Sequence, residues 1–273
     1  VISPKITGRI ISQGIILFCF LFLLTSIAQA TENNRTECFK QVLCYTTAED
    51  DRSARLALQN NFPFPIRISL ELTGHNTEPA AAAINLAVPA LGTQALFSLK
   101  AKRGTTWRYR WTSEVHPDLP FKGHDPDLLY DLPFASQHVF PVIQPPGGRL
   151  SHFGPQKWAI DWALPEGTEI LAAREGRVIA LRENSDQGGP TESTKGEENF
   201  IWIAHSDGTV GNYLHLRQAG VVVSVGDEVQ RGQLIGYSGN TGFSTAPHLH
   251  FHVSSARKTG PAFQSHPVHF KNP

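Results

Sequence analysis

The chain has 273 residues, 40% of them apolar and 18% charged, with 23 glycines and 19 prolines. That length suits one large domain or two small ones, and the composition is too apolar for a disordered chain and too poor in glycine for collagen. Lys plus Arg equals Asp plus Glu at 24 each, so no cationic surplus is available to neutralise phosphates, and nucleic acid drops out as a partner class.

Residues 1–30 read as a signal peptide. Lys5 and Arg9 precede an unbroken apolar run from Ile15 to Leu24, and Ala28-Gln29-Ala30 supplies the small-x-small pattern of a cleavage site. The run is shorter than the ~20 apolar residues that cross a bilayer. Cleavage and export to the periplasm or cell envelope are therefore expected, without stable membrane insertion afterwards. Phe18 ahead of Cys19 disfavours a lipoprotein signal, and the remaining chain stays near neutral. Cys38 and Cys44 then remain as the only thiols. In an oxidising compartment they can close a short loop or stay unpaired, and their spacing leaves both options open.

Residues 31–115 predict a small β-sandwich-like domain. Ala54–Gln59, Ile66–Leu72, Ile84–Val88, Ala95–Lys100 and Trp107–Trp111 alternate or are β-rich, with Pro63, Pro65, Gly74, Pro89, Gly92 and Gly104 between them. His75 sits in a turn-like Gly-His-Asn and reads as solvated surface. Residues 116–137 carry Pro117, Pro120, Pro126 and Pro133 with several aspartates, and read as a Pro-rich linker. From residue 138 to 273 strands resume with no convincing amphipathic helix, so the fold class is all-β throughout.

Eight of the 12 histidines lie at or after His152. Pro247 to Val253 alternates polar and apolar, so on a strand His248, His250 and His252 share one face. Three imidazoles on a surface face serve no packing purpose, whereas neutral imidazole is a common transition-metal ligand. In Lys157 to Ala163, alternation puts Trp158, Ile160 and Trp162 on a core face and Asp161, flanked by Ala159 and Ala163, on the other, facing open space. With His152 upstream and His-x-His downstream, a His/Asp/His set with an open fourth position is available, the pattern of a catalytic rather than a structural zinc site.

A hairpin is expected around Asp207-Gly208, the dipeptide of a two-residue turn. That turn opposes Ser206 to Thr209 and Phe200 to His215. It places His205 with Ile201, Ile203, Val210 and Leu214 on one face, and His215 with Trp202, Ala204 and Tyr213 on the groove side. The stretch Asn184–Asn199 is too long for a tight turn and reads as a mobile loop.

These residues together resemble the lysostaphin-type (LytM-type) zinc metallopeptidases of bacterial cell walls. The resemblance runs from about Val139 to Val253. It rests on Ser151-His152, Trp158-Ala159-Ile160-Asp161-Trp162, Pro165-Glu166-Gly167-Thr168, Tyr213-Leu214-His215-Leu216, Gly232-Gln233-Leu234-Ile235-Gly236, Ser238-Gly239-Asn240-Thr241-Gly242 and Pro247-His248-Leu249-His250-Phe251. It implies an antiparallel β-sheet peptidase domain with a substrate groove, a Zn2+ cofactor held by His152, Asp161 and His250, and His215 and His248 as catalytic histidines acting on the attacking water. The implied activity is endopeptidase cleavage of peptidoglycan cross-links or stem peptides.

Two positions depart from the family pattern. Many members place the first histidine four residues before the aspartate, where this chain has Lys157, and His152 lies nine before. The residue after His250-Phe251 is often Glu and here is His252, which keeps a rival assignment of ligands within that strand open. The contrasting function is a catalytically inactive wall-binding or regulatory protein of the same fold, although this chain retains a candidate for every role. A lipoyl-type carrier domain, suggested by Val225 to Gly236, leaves the histidines unexplained.

Overall fold

The structure is a computed structural model that describes residues 33–39, 42–103 and 106–271. The apolar run and cleavage pattern of residues 1–30 lie outside the described residues. Among the described residues the chain is almost entirely β and separates into two compact units, with the division between Glu114 and Val115. No helix among them is long and apolar enough to cross a membrane.

The first unit pairs two sheets. Asn33–Phe39, Leu43–Glu49, Ser53–Asn60, Thr93–Ala101 and Thr77–Glu78 form a five-stranded sheet in that spatial order. Ala81–Val88, Ile66–His75 and the strand that begins at Arg108 form the other. Period-two alternation in Ser53–Asn60 turns Ala54, Leu56 and Leu58 inward. Tyr45 from one sheet meets Trp111 from the other at 4.9 Å between ring centroids, and its hydroxyl lies 2.8 Å from Ser113 Oγ, so the buried phenol is satisfied. Cys38 and Cys44 stand directly opposite each other on adjacent strands and form a disulfide. His75 is exposed, with no chemistry gathered around it.

The second unit is built on a ten-stranded sheet. Its main path runs Val142–Gln144, Ile160–Trp162, Leu249–Ala256, Val210–Val221, Asn199–Ala204, Gly176–Arg182, Glu228–Val229, and every pairing along it is antiparallel. One face carries the core: Ile160, Trp162, Ile201, Ile203, Tyr213, Leu249, Phe251 and Val253 pack together. Because side chains alternate, their neighbours Asp161, Asn212, His250 and His252 fall together on the other face.

Two expectations are corrected here. The stretch 116–137 is not a free linker: Tyr130 and Phe134 are buried in the core of this unit, and Phe134 meets Trp162 edge-on at 5.5 Å. Prolines oppose long regular elements but do not prevent a chain from burying its aromatics between them. Nor is the hairpin turn the two-residue form. His205 N–H donates to the Thr209 carbonyl, Ser206 to Gly208 form a three-residue loop, and Gly208 takes φ +82°, the arrangement in which a turn ends in a left-handed glycine. The register is therefore Phe200 opposite Leu214 and Ile201 opposite Tyr213, one residue away from expectation. Tyr213 consequently faces the core and Leu214 the other side.

His205 keeps its expected core-side position. It is buried, donates Nδ1–H to the Glu175 carbonyl at 2.8 Å, and burial followed by the nearby Arg174 charge pushes its pKa down to about 4. His116, likewise buried, is pushed down to about 3, chiefly by burial. Both are neutral in the folded state and gain a proton more readily when unfolded, so stability is full above pH ~6.5 and falls as pH drops through the folded values. Thermal midpoints should hold from pH 8 to 6.5 and decline towards pH 4, with His205 contributing on the order of 2 to 3 kcal/mol at pH 4. His205→Leu should flatten that decline, and an unchanged slope would show that the burial of this imidazole is not what limits acid stability.

Candidate metal centre

Asp161 and His250 are cross-strand partners on the face opposite the core, which brings His250 Nδ1 to 2.9 Å from Asp161 Oδ1. His152 reaches the same point from the loop between Val142–Gln144 and Ile160–Trp162. That loop folds back at Gly147 and Gly148, with His152 N–H donating to the Gly148 carbonyl at 3.1 Å. A Cβ on Gly148 would stand 2.4 Å from Gln144 Cγ and 2.9 Å from the Pro145 carbonyl oxygen, so this close approach admits only glycine. The nine-residue spacing between His152 and Asp161 is the length of this fold-back. Lys157, at the four-residue position, is exposed and lies over the Trp158 ring.

His152 donates Nδ1–H to the Pro145 carbonyl at 3.0 Å. A carbonyl can only accept, so the neutral ring presents a bare Nε2, 3.1 Å from Asp161 Oδ1 and 3.4 Å from His250 Nδ1. Three acceptor atoms on buried side chains thus converge with few protons among them, and this trio could hold a metal ion. Their separations of 2.9, 3.1 and 3.4 Å are close to the roughly 3.3 Å edge of a tetrahedron whose ligands stand about 2.0–2.1 Å from a central cation. The residues fit a small four-coordinate cation with nitrogen and oxygen ligands. Asp161, expected to face open space, is instead buried. Burial alone would raise its pKa, but the adjoining His250 and His152 imidazoles outweigh it and hold the carboxyl below its ordinary range.

Gln144, not singled out from the sequence, pairs opposite Asp161 and donates Nε2–H to Asp161 Oδ2 at 3.0 Å, while its Oε1 accepts from Leu150 N–H. It ties the carboxylate to the loop that carries His152. Its strand, Val142–Gln144, has three residues, too few to show an alternation by which sequence could have marked it.

His215 arrives by a bulge. Phe200 pairs with Leu214 and Asn199 with Leu216, leaving His215 as the extra residue, at φ +64°. It donates Nδ1–H to the Thr241 carbonyl at 2.7 Å, and its ring lies 4.4 Å from that of His248 and 6.1 Å from that of His250. His248 has the Ala246 carbonyl 2.8 Å from Nδ1. Each of these two imidazoles therefore keeps its proton on Nδ1 and leaves Nε2 free to accept one. Burial, then the charges of His248 and His250, push the His215 pKa well below the usual histidine value. The 184–199 stretch is tied to this corner, since Gln187 O accepts from Gly242 N–H at 2.8 Å and Gly189 O from Ser244 N–H at 3.2 Å. It buttresses the Thr241 segment that orients His215.

His252 is not among the three converging atoms. Its Nδ1 lies 3.0 Å from His250 Nε2, on the far side of the His250 ring from Asp161.

Residues 155–263 match peptidase family M23. The match includes Asp161, His215, His248 and His250 and begins after His152. Over 94 residues the chain is 42% identical to an uncharacterized metalloprotease of Buchnera aphidicola, a stretch covering 34% of this chain and 22% of the relative. It is 36% identical over 99 residues to the glycyl-glycine endopeptidase ALE-1 of Staphylococcus capitis, covering 36% and 24% respectively. It is 37% identical over 93 residues to the peptidoglycan DD-endopeptidase ShyA of Vibrio cholerae, covering 34% and 19%. The chain thus matches 19% to 24% of the length of these relatives. With a matching family, an antiparallel β scaffold and a buried His/Asp/His cluster in one place, the second unit of this chain carries a peptidase family M23 domain.

Proposed function

We propose that this chain is a zinc-dependent endopeptidase that hydrolyses peptide bonds in peptidoglycan cross-links or stem peptides, acting outside the cytoplasmic membrane. The observation that carries the reading is the convergence of His152 Nε2, Asp161 Oδ1 and His250 Nδ1 beside two further histidines whose Nδ1 atoms face backbone carbonyls. The ShyA relative is a peptidoglycan DD-endopeptidase and the ALE-1 relative a glycyl-glycine endopeptidase, which supports peptidoglycan peptides as the substrate class. The signal-like residues 1–30 support export.

His152, Asp161 and His250 would hold the ion. When bound, zinc lowers the pKa of a coordinated water towards ~7 and polarises a peptide carbonyl. Hydrolysis also requires that the attacking water lose a proton and the leaving amine gain one. His215 and His248 are placed for that exchange, because each is locked with its proton on Nδ1 and offers Nε2 as the acceptor. Gln144 and the Pro145 carbonyl keep Asp161 and His152 in their orientations, so little reorganisation accompanies the reaction.

Digestion of purified peptidoglycan, followed by product masses, tests the reading. New peptides corresponding to one cleaved peptide bond plus one water should appear, disappear on chelation and return with added zinc. Absence of released peptides, or release indifferent to chelator, would contradict it, and the masses themselves identify the bond.

A further inference from the structure

His252 is fully buried, on the same sheet face as Asp161 and His250, with its ring stacked towards Phe263 at 6.1 Å and its carbonyl 3.3 Å from Asn212 Nδ2. Its polar atoms are used unequally. Nδ1 lies 3.0 Å from His250 Nε2, while Nε2 is buried without a hydrogen-bond partner. A buried polar atom left unpaired carries a desolvation cost. A hydrophobic side chain would fill this space beside Phe263 without that cost. What the imidazole offers in exchange is a single bond, the one to His250.

The direction of that bond follows from the site. A His250 ring that presents its Nδ1 lone pair towards Asp161 and His152 must carry its proton on Nε2, and must donate it to His252 Nδ1. His252 then holds its own proton on Nε2, the atom that has no partner. The unsatisfied N–H is thus the consequence of giving His250 an acceptor. Because that acceptor is neutral, Asp161 remains the only carboxylate in the cluster.

We propose that His252 is a positioning residue that fixes the tautomer and ring orientation of His250, so that Nδ1 is the atom offered to the metal. The proposal rests on the ligand set given under Proposed function. Its effect is on metal affinity, because without an acceptor the His250 proton can move to Nδ1, bond to Asp161 and compete with the cation.

Zinc dissociation constants of the full chain, measured by competition with a chromogenic chelator, test it. His252→Leu should bind zinc about 10- to 100-fold more weakly, while His252→Gln, whose amide oxygen can accept from His250 Nε2–H, should recover most of that loss. The thermal midpoint of metal-free His252→Leu should stay near or above that of the wild type, since an unpaired buried donor is removed. Long-range nitrogen–proton spectra of the zinc-loaded wild type should show the His250 proton on Nε2. Leucine binding zinc as tightly as wild type, leucine and glutamine weakening it equally, or a His250 proton on Nδ1 would each overturn the role. Wild-type chain that binds no zinc would overturn the ligand set itself, whereas tight wild-type binding with an unaffected leucine variant would overturn this inference alone. Should His252→Leu fail to fold, the glutamine variant and the wild-type spectra still decide.

Discussion

Replacing His152, Asp161 or His250 by alanine is expected to cut zinc affinity by at least ~10²-fold and to reduce peptidoglycan hydrolysis to background, while far-UV circular dichroism stays unchanged. Loss of a supporting partner of a ligand already costs about 10- to 100-fold in affinity, and these three supply the converging atoms themselves. His152 is the most informative of the three. It stands nine residues before Asp161 and outside the stretch that matches the family, so its role depends on the fold-back at Gly148. Lys157→Ala, four residues before Asp161, should leave zinc and turnover intact because that side chain is exposed. Full zinc occupancy in His152→Ala, with loss in His252→Ala, would mean that the strand supplies the ligands without the loop.

His215→Asn should retain one zinc per chain and a thermal midpoint close to wild type, yet lose on the order of 10²- to 10⁴-fold in turnover, the range for removal of a general acid or base. Asparagine is the appropriate substitution because His215 sits at φ +64°, a left-handed conformation that asparagine tolerates better than alanine. The ring is buried, and its pKa is held well below the usual histidine value by that burial and by His248 and His250. It is therefore neutral at pH 7, with Nδ1–H committed to Thr241 O and Nε2 open. Zinc content by mass spectrometry and turnover on peptidoglycan separate the outcomes. Loss of zinc would make His215 a ligand, and undiminished turnover would place the proton transfer on His248 alone.

The strand-rich class and much of the placement of strands were legible in the amino-acid sequence, because alternation with period two is local and survives in the linear text. It also determined which side chains share a face. Asp161 with its apolar neighbours Ile160 and Trp162, and His250 with Leu249 and Phe251, have opposite parities that tertiary packing respects. Register was not determined, since parity says which face a residue takes but not which residue stands opposite. The hairpin shows the consequence: Asp207-Gly208 marks the turn, yet closure at His205 and Thr209 around three residues moved each pair from Phe200 to Ala204 by one. Left to alternation, that shift would have set Tyr213 and His215 on the core side together. The bulge, with His215 as the extra residue, returned its ring to the metal face, and a bulge is decided by long-range fit.

The same division separates His152 from His250. The strand periodicity exposes the histidine on Leu249–Ala256, whereas His152 reaches Asp161 only through loop closure, which no local pattern encodes. The proline-rich 116–137 stretch looks like a spacer because proline forbids helix and central strand. Whether Tyr130 and Phe134 are buried depends on the hydrophobic surface that the rest of the unit presents to them, and only the assembled sheet supplies it.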